Sequence, residues 1–267
     1  ARIRTYYASP LWNGGEAARR CFGNWYRKTD RVKYVTTDEY DEERWAIAAA
    51  ACKRVMNMKK SGAPMYSLFT VQEDTQTPPL PEGVTSDPDF YEPYPVGAAG
   101  IDHLRSYSEQ FTGEAVIATN PEYVWGRKSQ TLVDNTRMSF PISFGGWGGM
   151  ALTQKIVDSY SMYDGRSIDN SSEAYPYSES GFTNEQKSFS GYRLNAGVYN
   201  MYDNREMRFY ACVGFSERFW PMSSTTMSGK YNQTVTYYYD SPNGKQNSAT
   251  DYSPTGYVIV KYIHPND

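Results

Sequence analysis

Apolar residues recur with a clear helical period in one long stretch of the chain. Over residues 41–59, Trp45, Ala48, Ala49, Cys52, Val55 and Met56 follow three- and four-residue steps and so share one helix face. The ends agree with that reading. Asp41, Glu42 and Glu43 open the segment, Lys59 and Lys60 close it, as the helix dipole favours, and Gly62 supplies a stop. Alanines at the centre let a second helix approach closely. The same spacing makes Trp45 a core residue. Residues 1–8 read as the end of another helix, with Ile3, Tyr6 and Tyr7 on one face and Ser9-Pro10 as its stop. No capping residue precedes it, so the chain is expected to be a central piece of a longer protein. Trp12 follows the stop and is expected to pack there.

Beyond residue 60 the pattern breaks up. Seven prolines between Pro64 and Pro95 forbid continuous helix, so 61–100 is a long polar connection, and connections of that length are functional or mobile. A short helix is predicted over 101–111, ending at Thr112-Gly113, and a short strand over 114–118. From Ser167 to Tyr202 the chain reads as polar loop. Phe209, Ala211, Val213 and Phe215 then alternate with Tyr210, Cys212 and Gly214, which predicts a strand with one apolar face. Residues 233–239 and 255–262 read as two more strands, and Asn243-Gly244 as a turn. A lone hairpin would be marginal, so the three are expected in one small antiparallel sheet.

Composition changes this picture in one respect. Tyr, Phe and Trp make up 16% of the chain, 25 of them Tyr, while mean hydropathy is only -0.70. Tyr has an apolar face and a polar tip, so this balance points to ordered loops, wet binding surfaces and an extracytoplasmic setting. Net charge is -3, which gives no case for nucleic-acid binding. Residues 1–60 carry 13 Lys+Arg against 7 Asp+Glu, the remainder 14 against 23, and the basic part is spread out as a solvated face is. Cys21, Cys52 and Cys212 form no CxxC pair, so neither zinc nor a disulfide is expected. No run of about 20 apolar residues is present for a membrane helix.

The candidate chemistry is stacking. Gly145-Gly146-Trp147-Gly148-Gly149 carries one indole on a backbone that can bend sharply. Such a ring either plugs a core or stacks on a ligand, and the sequence leaves both open. Tyr123 and Trp125 sit about two dozen residues earlier in Tyr123-Val124-Trp125-Gly126-Arg127, and Trp220 ends the strand at Arg218-Phe219-Trp220-Pro221. Flat rings of this kind stack on the apolar C–H faces of sugars, while Arg, Asn and Asp bind hydroxyls. Catalytic patterns are missing. The two histidines, His103 and His264, are far apart in sequence, and there is no G-x-S-x-G, no H-E-x-x-H and no phosphate loop. Carboxylates are plentiful, but no local motif singles out the pair that glycoside hydrolysis needs.

Four blocks, in order, resemble the SusD/RagB family of surface-exposed outer-membrane nutrient-binding lipoproteins of Bacteroidetes. The first is Tyr7-Ala8-Ser9-Pro10-Leu11-Trp12-Asn13-Gly14. The second is the glycine-bracketed Trp147 with Thr153-Gln154, Ile156-Val157-Asp158 and Met162-Tyr163-Asp164-Gly165. The third is Asn204-Arg205-Glu206-Met207-Arg208-Phe209-Tyr210-Ala211, and the fourth Thr255-Gly256-Tyr257 with Lys261-Tyr262. Leu152 and Met207 stand where the family commonly has Pro. The resemblance implies a mainly α fold, a SusD-like α-α superhelix: a tetratricopeptide-like helical scaffold with long ordered loops and a small antiparallel sheet. It divides one domain, 1–267, into a helical pair over 1–62, a ligand-facing region over 63–205 and the sheet over 206–263. It implies a non-catalytic protein with no cofactor, lipid-anchored at the cell surface through a segment outside this chain. Such a protein captures oligosaccharides on an aromatic arc, here carried over to Trp147, Tyr123 and Trp125 with Trp220 as a fourth candidate, and passes them to a SusC-type TonB-dependent transporter. The alternatives are a RagB-like peptide binder and, less favoured, a glycoside hydrolase.

Overall fold

Two short helices laid against each other form the frame of the first of two units. The computed structural model describes residues 1–33, 39–126 and 132–264. Its first unit comprises 1–68 with 121–125, its second 69–120 with 126–267. In the first, α1 (Arg2–Ala8) packs against α3 (Glu43–Met56), with α2 (Glu16–Phe22) between them in sequence. Thr5 meets Cys52 at 3.8 Å, while Arg44 lies 4.0 Å over the Tyr7 ring, so the pair runs antiparallel. α1 ends at Ser9, whose extended backbone before Pro10 cannot continue the helix. Trp12 stacks on Phe22 with centroids 4.6 Å apart. Residues Lys59–Lys60 (β1) and Ala63–Pro64 (β2) pair across the turn at Gly62.

The seam between the helices is rotated from the face read in the sequence. Ala8, Arg44 and Ala48 are buried, whereas Trp45 is 37% exposed and Ile3 82%. Small residues let the backbones approach, and the flat guanidinium of Arg44 fills the gap beside Tyr7 while donating to the Trp12 carbonyl at 3.0 Å. The large apolar residues flank that seam. Trp45 is therefore not a core residue here. Cys21, Cys52 and Cys212 are free thiols.

In the second unit α4 (His103–Thr112) runs as the sequence predicts, capped by the Asp102 carboxylate on the Arg105 N–H at 2.9 Å and ended by Gly113 in the left-handed region. Residues 114–118 form turns, not a strand, and the Ala115 N–H returns to the Glu109 carbonyl. Two further short helices follow, α5 (Val133–Ser139) and α6 (Gln154–Asp158). The supposed polar loop contains a hairpin, β3 (Lys187–Phe189) and β4 (Tyr192–Leu194), closed by Ser190-Gly191 with both φ positive. A two-residue turn of that kind matches the twist of its strands.

Residues 207–212, expected in a strand, are helix α7 (Met207–Cys212), which passes straight into β5 (Val213–Gly214). Phe209, Tyr210, Cys212, Val213 and Phe215 are all buried, so the apparent alternation had no solvent side to report. The remaining strands form separate pairs rather than one sheet. β5 pairs with β8 (Val258–Ile259), and β6 (Arg218–Trp220) with β7 (Gln233–Val235), each antiparallel. Asn243-Gly244 closes a turn onto the Ser241 carbonyl.

An aromatic core binds these pieces. Tyr202 stacks on Phe215 at 4.5 Å, Phe215 on Phe209 at 5.4 Å, and Tyr257 meets Tyr202 edge-on. At its edge the Arg205 guanidinium, 1% exposed, donates to the carbonyls of Met201, Val157 and Tyr160 at 2.8–3.0 Å. Val157 lies in the last turn of α6 and Tyr160 just beyond it, so the guanidinium adds to the backbone N–H that the Val157 carbonyl already accepts from Tyr160 and closes the helix end. The Met162–Gly165 turn is held against Asn204-Arg205 by the Tyr163 N–H on the Asn204 carbonyl at 2.7 Å. Gln154 accepts from the Tyr257 hydroxyl at 2.8 Å.

Candidate functional site

The Trp147 loop owes its path to its glycines. Gly145 and Gly148 have φ of +80° and +61°, and a Cβ on Gly146 would sit 2.0 Å from the Phe140 carbonyl oxygen. The chain can therefore fold back onto α5, where the Trp147 N–H donates to the Arg137 carbonyl at 2.6 Å and the Met150 N–H to that of Met138 at 3.0 Å. The indole is half-buried, with the Arg137 guanidinium 5.6 Å from its centroid. Glycine here serves close packing, and the loop is tied down rather than slack.

The other candidates fall elsewhere. Tyr123 and Trp125 belong to the first unit and are 38% and 78% exposed; Trp147 and Trp220 belong to the second. Arg127 lies outside the described residues. Trp220 is 2% exposed, its ring 5.7 Å from Phe140 and 5.6 Å from Phe144 in a small core with Val235 and Val258. It has no free face for a sugar, so its expected role as a stacking platform is corrected. The strand that carries it ends inside the unit.

Sequence reasoning missed a concavity of the second unit. A cavity of ≈ 510 Å³ lies among α4, the β3–β4 turn, α7, β6 and the segment from Val260 to His264. That volume is within the roughly 300–1,000 Å³ of small-molecule sites. Its carboxylates each face a basic side chain. Arg105 bridges Asp74 at 2.7 Å and Glu109 at 3.2 Å, and His264 faces Glu114 at 3.4 Å. Arg218 gives its N–H groups to the Tyr210 and Val213 carbonyls at 2.9 and 3.1 Å and lies over the Tyr192 ring. Arg193 covers Phe219 at 4.4 Å and donates to Asn195 at 2.8 Å. The Asp74 carboxyl is held below the usual range, first by the Gln76 backbone N–H, against an opposing desolvation cost, and then by Arg105. Ser190 and Trp220, two residues of this lining, each carry a polar atom sealed from solvent, Oγ and Nε1, that has no hydrogen-bond partner among the described residues. The one sequence signal for the site was the Ser-Gly pair between Phe189 and Tyr192, which marks a turn.

The model of the SusD family matches residues 121–267, more than half of the chain. Two solved structures of BT4246, one a selenomethionine form, each align with 99% of this chain at TM-scores of 0.63 and 0.60, with 20% and 21% identity. They share its fold. A crystal structure of a SusD-like protein from Bacteroides fragilis NCTC 9343, BF3747, aligns with 61% of this chain and 29% of its own at 24% identity, with a TM-score of 0.39. The chain spans less than half the length of the solved structures it matches, 44% and 43% for the two of BT4246. No curated protein matches it at a significant level.

Proposed function

The chain belongs to the SusD family, and from that premise we propose that it is part of a non-catalytic cell-surface protein that captures oligosaccharides. It hands them to a SusC-type TonB-dependent transporter in the outer membrane, where a lipid anchor outside this chain holds it. The helical pair α1 and α3 is then one element of a tetratricopeptide-like superhelical scaffold. The observation that carries the reading is the family match over 121–267, the stretch that contains Trp147. An exposed Trp125 and a Trp147 ring braced by Arg137 suit contact with flat sugar faces. A hydrolase would need a pair of carboxyls across a cleft, one of them pushed up to stay protonated as an acid. Asp74, beside the cavity, is displaced the other way, and Glu217, which burial pushes up, is not on the cavity lining.

Titration calorimetry with a panel of neutral oligosaccharides tests this. Loss of one aromatic contact is worth about 0.5–1.5 kcal/mol beyond its buried area, so Trp147→Ala is expected to weaken glycan binding roughly tenfold. Equal affinity in the variant removes Trp147 from the site. A panel that returns basic peptides and no glycan moves the reading to the RagB type.

A further inference from the structure

We propose that Asn243 is a positioning residue for Trp147: its side-chain amide caps the first turn of the Trp147 loop and so sets where the indole meets a ligand. The proposal rests on the glycan-binding reading above and deepens it.

The loop has two limbs, held in different ways. Its return limb lies on α5 and on its own start, through the Trp147, Met150 and Gly148 N–H groups on the carbonyls of Arg137, Met138 and Phe140 at 2.6–3.0 Å. Its outer limb is a single turn, Ile142–Phe144, that opens after Pro141 and closes at Gly145 in the left-handed region. The first N–H groups of such a turn need acceptors from elsewhere, and a side chain at the capping position ordinarily gives one. Pro141 stands at that position and has no acceptor on its side chain. Asn243 takes its place from 100 residues further on: its Oδ1 accepts from the Ser143 N–H at 2.9 Å. Lys230 Nζ donates to the Ser143 carbonyl. Among the described residues these are the two hydrogen bonds that tie the outer limb to the rest of the chain.

Position 243 calls for an amide. Asn243 is 4% exposed, and its Nδ2 donates to the Thr236 carbonyl at 3.2 Å while its Oδ1 accepts. One planar group thus serves a donor and an acceptor on two segments remote in sequence. The turn that carries it is closely packed. A Cβ on Gly244 would sit 1.9 Å from the Tyr238 carbonyl oxygen, and the Ser241 hydroxyl lies 2.9 and 2.8 Å from the Thr236 and Tyr238 carbonyls. Asn243 is therefore a fixed point against which the loop is registered.

Placement matters because the indole has a bond to aim. Its N–H has no partner among the described residues and, unlike that of Trp220, is not sealed from solvent. A ring that stacks and also donates to a ligand hydroxyl must be held within about 0.5 Å and 10–20° of the productive geometry. Without the cap the outer limb is free to turn about Gly145 and Gly148, the two left-handed glycines on either side of the ring.

The test uses the whole chain labelled with ¹⁵N. The Trp147 indole signal is assigned by its loss in Trp147→Phe, and the backbone amides of α4 report an unchanged fold. Asn243→Ala, Asn243→Asp and Lys230→Met are compared with the parent, and cellohexaose, xylohexaose, mannohexaose and maltohexaose are titrated by calorimetry. At neutral pH both Asn243 variants are expected to shift the Trp147 signal, leave α4 in place and weaken hexasaccharide binding at least fivefold. Ionised, the new carboxylate turns a bare oxygen to the Thr236 carbonyl; protonated, it donates there as the amide does. Lowering the pH through the carboxyl range should therefore restore signal and affinity, relative to the parent at each pH, in Asn243→Asp alone. A general loss of stability would not do that. Lys230→Met, which keeps the buried amide, should move the same signal by less, and it carries the test if the Asn243 variants do not fold. A Trp147 signal that stays still in these variants overturns the proposal. So does a signal that moves with no change in affinity while Trp147→Ala weakens binding, and the proposed function then stands. If Trp147→Ala also binds as the parent does, Trp147 leaves the site and the proposal falls with it. A parent chain that binds no hexasaccharide overturns both.

Discussion

The two units of this chain are held together by different means. In the first, α1 and α3 meet along a thin seam of small residues, with Tyr6, Ile47 and Met56 left exposed beside it. In the second, short helices and paired strands of two or three residues surround a core of stacked rings, and much of the backbone bonding runs between turns. Regular elements are not what makes a unit dense. Area buried by aromatic side chains, with backbone carbonyls such as those of Met201, Val157 and Tyr160 satisfied by Arg205, does so even where the chain is irregular.

Arg205 offers the sharpest way to break that second arrangement. Its removal takes a donor from three carbonyls, of which that of Val157 keeps the Tyr160 N–H at 3.4 Å, and takes a cation from the face of Phe209, 4.7 Å away. Arg205→Ala is expected to cost about 3–5 kcal/mol, measured by chemical denaturation, as each unpaired buried group costs about 1–3. Arg205→Lys is expected to recover little, since an ammonium on one stem cannot reach three carbonyls spread over two segments. A loss below about 1 kcal/mol would mean that the aromatic core alone closes the unit.

Alkaline pH is expected to act next, and on the same unit. Burial raises the Tyr163 phenol to about 12, and its hydroxyl donates to the Pro79 carbonyl at 2.6 Å. Tyr202 and Tyr177 are also pushed up, first by burial. A phenol with a raised folded pKa favours the folded state while it stays neutral. That contribution is whole below pH 10, where the unfolded phenol begins to ionise, and for Tyr163 is lost as pH climbs toward 12. Denaturation midpoints should fall progressively above pH 10; since several other phenols are exposed, the tyrosinate of Tyr163 is read as the difference in absorbance from Tyr163→Phe and should rise only as the unit opens. An early difference without loss of structure would place the Tyr163 phenol in water.

Smaller in effect is Asn13, the counterpart of Arg205 in the first unit. Its amide donates to the Asp41 carbonyl at 2.9 Å and accepts from the Asp41 N–H at 3.0 Å, fixing the entry to α3. Asn13→Ala is expected to cost about 1–2 kcal/mol, because Asp41 is partly open to water that can replace the lost partner. Hydrogen exchange at the start of α3 would read it locally.

How much of this was legible depended on whether a segment has a wet side. α4 has one, and its span and stop could be read within two residues; the start of α3 was read as closely, but that helix ends at Met56, and Lys59–Lys60 and Gly62, read as its basic close and its stop, belong to the β1–β2 hairpin. The turn at Met162–Gly165 carries its own chemistry, with Asp164 accepting from the Arg166 N–H at 3.2 Å and Gly165 at φ +81°. In α7 the wet side is narrow, Arg208 with the half-buried Met207 and Ala211, and the residues read as the outer face of a strand, Tyr210 and Cys212, are buried, so the segment matched a strand template by accident. The cavity could not be read at all. Its walls come from six segments between Asp74 and His264, and a cavity assembled from so many separate pieces leaves no local pattern to read.

Trp45 turns the comparison into its mildest test. Helical spacing put it in the core, and truncating a core Trp costs about 3–5 kcal/mol. The seam instead runs through Arg44 and Ala48, leaving Trp45 37% exposed. Trp45→Ser should then cost about 1 kcal/mol or less in this chain, near the range of ordinary surface changes. Ala48→Leu should cost more, about 1–3 kcal/mol, because it forces a branched side chain into the contact between α3 and α1. Thermal midpoints of the two variants against the parent chain settle the matter. The reverse ranking, with Trp45→Ser the more damaging, would return the apolar face to the seam and make the first unit a packed core after all.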